Sequence, residues 1–161
     1  MRCLRLGLAA FAVPLLFPFL LSADSGRPDF SGTWQLDSAK SQIDDGRVVT
    51  LTVENVSDKI KLVRVVREKD GKEITSKFVC ATSGGDCEFD EGDLKAKVSL
   101  WYDGSALIVL KTDGPKEDAV TQWKMQLEPT TNTLTVGLTH IDPTSKAETL
   151  IFSKKAQSPL Q

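Results

Sequence analysis

The sequence predicts an all-β protein: an antiparallel up-and-down meander that closes into a β-barrel of eight or nine strands. Three observations predict it. Apolar residues recur at every second position in one segment after another, the period of strands buried on one face. Turn residues separate the segments, and Pro115, Pro129 and Pro143 fall 14 residues apart. That beat is one strand plus one turn, repeated. No amphipathic helix of useful length intervenes; the best candidate, 38–45, is short and polar.

Taken in order, residues 1–23 have the three-part layout of a secretory signal. Arg2 and Arg5 come first, then an uncharged apolar run from Leu6 to Leu21, then Ser22 and Ala23. The run is shorter than the ~20 residues a spanning helix needs, and Pro14 and Pro18 weaken it as a permanent helix. Cleavage after Ala23 and cleavage after Ser25 both fit. The mature chain is therefore expected to be exported, periplasmic or extracellular, with no stable membrane span. Residues 24–29 form a polar lead, 30–155 a single barrel domain and 156–161 a flexible tail.

Composition fits one globular domain, with 40% hydrophobic and 26% charged residues in 161. It excludes a wholly disordered chain. The net charge of −2 becomes −4 once Arg2 and Arg5 are removed. A mildly acidic domain has no electrostatic footprint for nucleic acid.

Strands are expected at about 30–37, 47–55, 59–68, 73–80, 94–101, 105–112, 118–128, 132–141 and 146–154. Phe30, Trp34 and Leu36 share one face of the first; Val49, Leu51 and Val53 share one face of the second. Trp123, Met125 and Leu127, then Leu134, Val136 and Leu138, repeat the pattern late in the chain. Asp70-Gly71 and Asp103-Gly104 mark hairpins, since Gly accepts the positive φ of tight turns. An open sheet of so many strands would expose an edge, which closure removes. A two-sheet sandwich is the rival, but sandwiches usually carry Greek-key crossovers where this chain has sequential hairpins.

Removal of Cys3 with the signal leaves Cys80 and Cys87, an even pair in an exported chain. The intervening Ala-Thr-Ser-Gly-Gly-Asp lets the chain reverse, so a structural disulfide is expected. Redox motifs usually use two intervening residues, and a metal site would need more ligands than His140, the lone histidine. Asp86, Glu88, Asp90, Glu91 and Asp93 cluster beside the cysteines but lack the spacing of a calcium loop. They read as a solvated acidic loop. No metal and no cofactor is expected.

Gly32-Thr33-Trp34 resembles the Gly-x-Trp at the first strand of lipocalins. The longer string Phe30-Ser31-Gly32-Thr33-Trp34, with Leu36, Lys40 and Ser41, is similar to the opening of small exported bacterial lipocalin-like (calycin-type) proteins of unassigned function. Val98 to Gly104 and Glu148 to Phe152 are similar to strand segments of the same group. The resemblance implies a barrel closed at one end, with an apolar cavity open at the other. It also implies that Trp34 is structural, packed across the closed end near a late basic residue. Lys154 or Lys155 stands where that cation would lie, in place of the usual Arg, and no helix follows the last strand.

The candidate cavity lining is Arg64, Phe78, Leu100, Trp123, Met125, His140 and Phe152. A wider inward set adds Phe30, Trp34, Leu36, Leu51, Leu110, Leu127, Val136, Leu138 and Leu150. Arg64 shares a face with Ile60, Leu62 and Val66, which would aim a guanidinium inward at a ligand carboxylate. The other face holds Lys61, Val63, Val65 and Arg67, so parity leaves Arg64 either inward or on the surface. His140 extends the face of Leu134, Val136 and Leu138, at a ligand head or half exposed at a strand end. No nucleophile motif stands beside it, and no catalytic residue is assigned. The leading expectation is an exported protein that binds an apolar or amphipathic small molecule in the barrel. The alternatives are a filled barrel acting as a protein-interaction module and, third, an acid/base enzyme in the barrel mouth.

Overall fold

The computed structural model describes residues 26–43, 45–113, 119–142 and 147–156. The expected signal, its cleavage points and most of the expected tail lie outside the described residues, as do the turns beginning at Gly114 and Pro143.

The described residues contain ten strands: β1 (Gly32–Leu36), β2 (Val48–Val56), β3 (Lys59–Arg67), β4 (Glu73–Ala81), β5 (Ser83–Glu91), β6 (Leu94–Asp103), β7 (Ala106–Asp113), β8 (Ala119–Glu128), β9 (Thr133–Asp142) and β10 (Ala147–Lys154). Each is antiparallel to its chain neighbours, and β1 pairs with both β2 and β10, so the meander closes into a barrel. Closure leaves no edge strand.

The count of eight or nine is corrected to ten by β5. The acidic stretch expected to be a loop is a strand. Asp86 and Glu88 point outward and are exposed, while Cys87, Phe89 and Glu91 alternate to the inside. Acidic residues are poor strand formers on average, but here they face cations. Glu88 stands opposite Lys97, and Asp90 stands between Lys77 on β4 and Lys95 on β6. Lys95 Nζ and Asp90 Oδ1 form an ion pair. Opposite charges across a ladder stabilise it by a few tenths of a kcal/mol to about 1 kcal/mol. Segment 38–45 contains no described helix; turns at 38–42 lead from β1 toward β2.

Cys80 and Cys87 form a disulfide with Cα atoms 5.7 Å apart. The β4–β5 ladder is the shortest in the barrel, with Ser76 opposite Glu91 and Lys77 opposite Asp90. The same register, continued, sets Cys80 opposite Cys87. The bridge thus fastens the seam where backbone pairing is least extensive.

The closed end is built from β1 outward. Trp34 is 1% exposed, and its Nε1 donates to the Phe30 carbonyl at 2.9 Å. Lys154, directly opposite on β10, sets its Nζ 5.2 Å from the Trp34 ring centroid, a cation–aromatic contact. Of the two late lysines, Lys154 is the one that meets the ring. Gly32 has φ +136°, and a Cβ there would lie 2.7 Å from Lys154 Cε. The glycine of Gly-x-Trp therefore supplies both a conformation L side chains rarely adopt and a passage for the lysine stem.

Ahead of β1, Asp29 Oδ1 accepts from the Ser31 N–H and from Asn55 Nδ2, each at 2.9 Å. The Ser31 hydrogen bonds, with help from Asn55 and Lys154, hold this carboxyl below its ordinary value of 3.8. A depressed folded value means the unfolded chain binds this proton more readily. The contribution is complete above 3.8 and is lost as pH falls through the lower folded value. In urea melts at neutral pH and at about pH 3, Asp29→Asn is expected to trail wild type at neutral pH, with a smaller gap in acid.

Candidate functional site

The strand order fixes which side chains reach the interior. On β2 the inward residues are Val49, Leu51 and Val53; on β3 they are Ile60, Leu62, Arg64 and Val66. On β7 they are Leu107, Val109, Lys111 and Asp113, which face Met125, Trp123, Thr121 and Ala119 on β8. Leu110, expected inward, stands on the opposite parity facing Gln122. The β7 run is apolar on both parities from Ala106 to Leu110, so its own sequence does not fix which face is in.

The interior has two halves. The half nearer Trp34 is packed solid: Phe78, Leu100 and Met125 are 3%, 0% and 0% exposed. The sequence puts these three on the cavity wall; the structure sets them below it, in the packed layer. Their strands carry them past the cavity floor. The other half holds a cavity of about 460 Å³ that opens at the barrel mouth, within the usual size range of small-molecule sites. Arg64, Trp123, His140 and Phe152 line it, joined by Val49, Leu51, Val136, Leu138 and Leu150.

The floor is apolar and the upper wall is charged. Arg47, Lys111, Asp113, Thr121 and Glu148 also line the cavity, and sequence reading misses all five. Lys111 and Asp113 are legible in principle, since they continue the parity of Leu107 and Val109. Glu148 likewise precedes Leu150 and Phe152 on one face.

The cations each have a carboxylate nearby. Lys111 Nζ lies 3.0 Å from Asp113 Oδ2 and 4.7 Å from the Phe89 ring centroid. Arg47 Nε lies 3.0 Å from Asp45 Oδ2. Arg64 is looser: Nη1 is 3.6 Å from Glu91 Oε2, and Cζ is 6.0 Å from the Trp123 ring centroid. Burial pulls the Arg64 guanidinium below its ordinary value, with Glu91 acting the other way. His140 Nδ1 lies 3.2 Å from Thr121 Oγ1, so its described partner is a hydroxyl rather than a carboxylate. Among the described residues, no group of three or more His, Cys, Asp or Glu is placed to hold a metal ion.

Neither a protein-family model nor a curated protein matches the sequence. Solved structures do match. One is the secretary abundant heat soluble (SAHS) protein from Ramazzottius varieornatus, with TM-score 0.55 and 9% identity, covering 78% of this chain and 95% of that one. Another is a point mutant of the fluorescent protein UnaG, with TM-score 0.52 and 18% identity, covering 80% of this chain and 97% of that one. The fold is a lipocalin-like β-barrel. At such identities the likeness extends to the fold alone.

Proposed function

We propose that this is an exported, single-domain barrel, residues 30–155, that binds one apolar or amphipathic small molecule in its cavity. The observation that carries the reading is the half-hollow interior: an apolar floor under a charged mouth, in a cavity of about 460 Å³. A barrel serving only as a rigid module gains stability from a filled interior, and this one is filled on one side of the floor only. The opening Phe-Ser-Gly-Thr-Trp supports a place among the small exported bacterial lipocalin-like proteins. Export is supported by the Cys80–Cys87 disulfide, which persists in oxidising compartments. No helix among the described residues is long and apolar enough to cross a membrane.

The test is titration with a fluorescent amphipathic probe such as ANS, checked by native mass spectrometry. Saturable one-to-one binding is expected. Leu138 faces Trp123 across the β8–β9 ladder and lines the cavity, so Leu138→Trp would set an indole into the space. That variant should fold and lose at least about tenfold in affinity. Equal binding by the variant, or none by wild type, would return the protein to the filled interaction-module reading.

A further inference from the structure

We propose that the cavity selects a compact monocarboxylic acid, its carboxylate held by Arg64 partway down the barrel. This rests on the cavity-binding reading and adds the ligand's head, its seat and its size.

Depth comes from the register. Counted from the mouth, Val66 is the first inward residue of β3 and Arg64 the second. Val66 pairs with Val49, and Arg64 pairs with Leu51 on one side and Ser76 on the other. A guanidinium therefore sits below an apolar pair, facing the Trp123 floor. The Arg64 side chain is 31% exposed, so its charge is only partly desolvated and stays open to a ligand that enters the cavity.

Arg64 is incompletely paired. Its contact with Glu91 is 3.6 Å, beyond hydrogen-bond range, while Lys111 Nζ lies 3.0 Å from Asp113. Among the described residues no hydrogen bond reaches the guanidinium, which carries five donors in a fork that matches a carboxylate. A carboxylate entering the cavity can take two of those donors at once. A dianion fits less well, because Glu91 stands beside Arg64, and Arg47 and Lys111, the other cations of the wall, are already ion-paired with Asp45 and Asp113.

Size follows from what lies beneath. From Arg47, just ahead of β2, to Leu51 is four residues, at most about 14 Å at ~3.4 Å each, and tilt makes the true depth less. Below that, Leu62, Leu100 and Met125 are sealed in the packed half. A long extended chain meets this floor before it is covered.

The experiment is calorimetric titration of the full chain with octanoate, 1-octanol, octyl phosphate and stearate, each below its aggregation limit. Wild type and Arg64→Met are compared, with thermal melts of both. Octanoate is expected to bind one-to-one, at least about tenfold tighter than 1-octanol, the advantage of a charge-assisted pair. Stearate and octyl phosphate should bind more weakly than octanoate. Arg64→Met should erase the preference for octanoate over octanol while still binding octanol, with a melting temperature at or above wild type. Arg64→Lys should restore part of the preference even if the Met variant fails to fold.

Equal binding of octanol and octanoate by wild type would overturn the head assignment and leave the cavity reading standing. Stearate as tight as octanoate would overturn the size limit, and octyl phosphate tighter than octanoate would overturn the single charge. Failure of all four probes would overturn this proposal and the cavity reading together.

Discussion

Trp34→Ala is expected to lower stability by about 3–5 kcal/mol, the range for removing a large aromatic from a packed core. In a domain of this size that is roughly 10–20 °C in Tm, and a large part of the roughly 5–15 kcal/mol that holds a typical domain together. Three losses coincide. The indole is 1% exposed, so its removal opens a cavity at the closed end. The Phe30 carbonyl loses its donor at 2.9 Å, and Lys154 loses the ring 5.2 Å from its Nζ. Trp34→Phe separates them: it keeps most of the apolar volume but leaves the Phe30 carbonyl without its indole donor, a cost of about 1–3 kcal/mol. Chemical denaturation of both variants measures the difference. Because Trp34 does not line the cavity, the folded fraction of either variant should bind probe as wild type does. A loss below about 1 kcal/mol for Trp34→Ala would mean the closed end does not depend on this residue.

The elements around Trp34 are legible in the sequence because their physics is local. Alternation in β1, β2, β8 and β9 follows from burial of one face, and the turns at Gly71 and Gly104 carry the positive φ their glycines permit. β5 is illegible for the opposite reason. Its outward face is Asp86, Glu88 and Asp90, and its inward face offers Phe89 as the single large apolar signal. What makes it a strand is the lysines of β4 and β6, contributed by other parts of the chain. Pairing across a ladder is tertiary information that a one-dimensional pattern does not carry.

The site divides the same way. Arg64, Trp123, His140 and Phe152 lie on faces already marked by apolar neighbours. Whether Arg64 points inward cannot be read from β3, whose Val63 and Val65 make both parities apolar; the barrel decides it through Leu51 and Ser76. Phe78, Leu100 and Met125 are interior residues of the barrel, as their parity predicts, yet parity says nothing about depth. Depth along the axis depends on strand tilt and register, so a list of inward residues mixes floor, wall and solid core. Arg47, Lys111, Asp113 and Glu148 escape such a list because charge at a strand end ordinarily means solvent.

Loss of the disulfide is the second large effect. Cys80 and Cys87 are separated by seven positions, and closing so short a loop removes denatured-state entropy worth about 2–3 kcal/mol. Cys80→Ala with Cys87→Ala, or reduction of the wild type, should lower stability by that amount. The consequence should also be local. The β4–β5 ladder has two opposed pairs, Ser76 with Glu91 and Lys77 with Asp90, whereas β3 and β4 pair from Lys59 to Arg67. Without the bridge, the turn end of this hairpin is held chiefly by the packing of Phe78 against Phe89, with ring centroids 6.4 Å apart. Hydrogen exchange of the double variant should therefore accelerate first in residues 78–90, while β8 and β9 keep their protection. Glu91 begins the same seam and is the carboxylate nearest Arg64, so opening should also alter the affinity for octanoate. Uniform acceleration around the barrel would show instead that the bridge acts on global stability with no special hold on the β4–β5 seam.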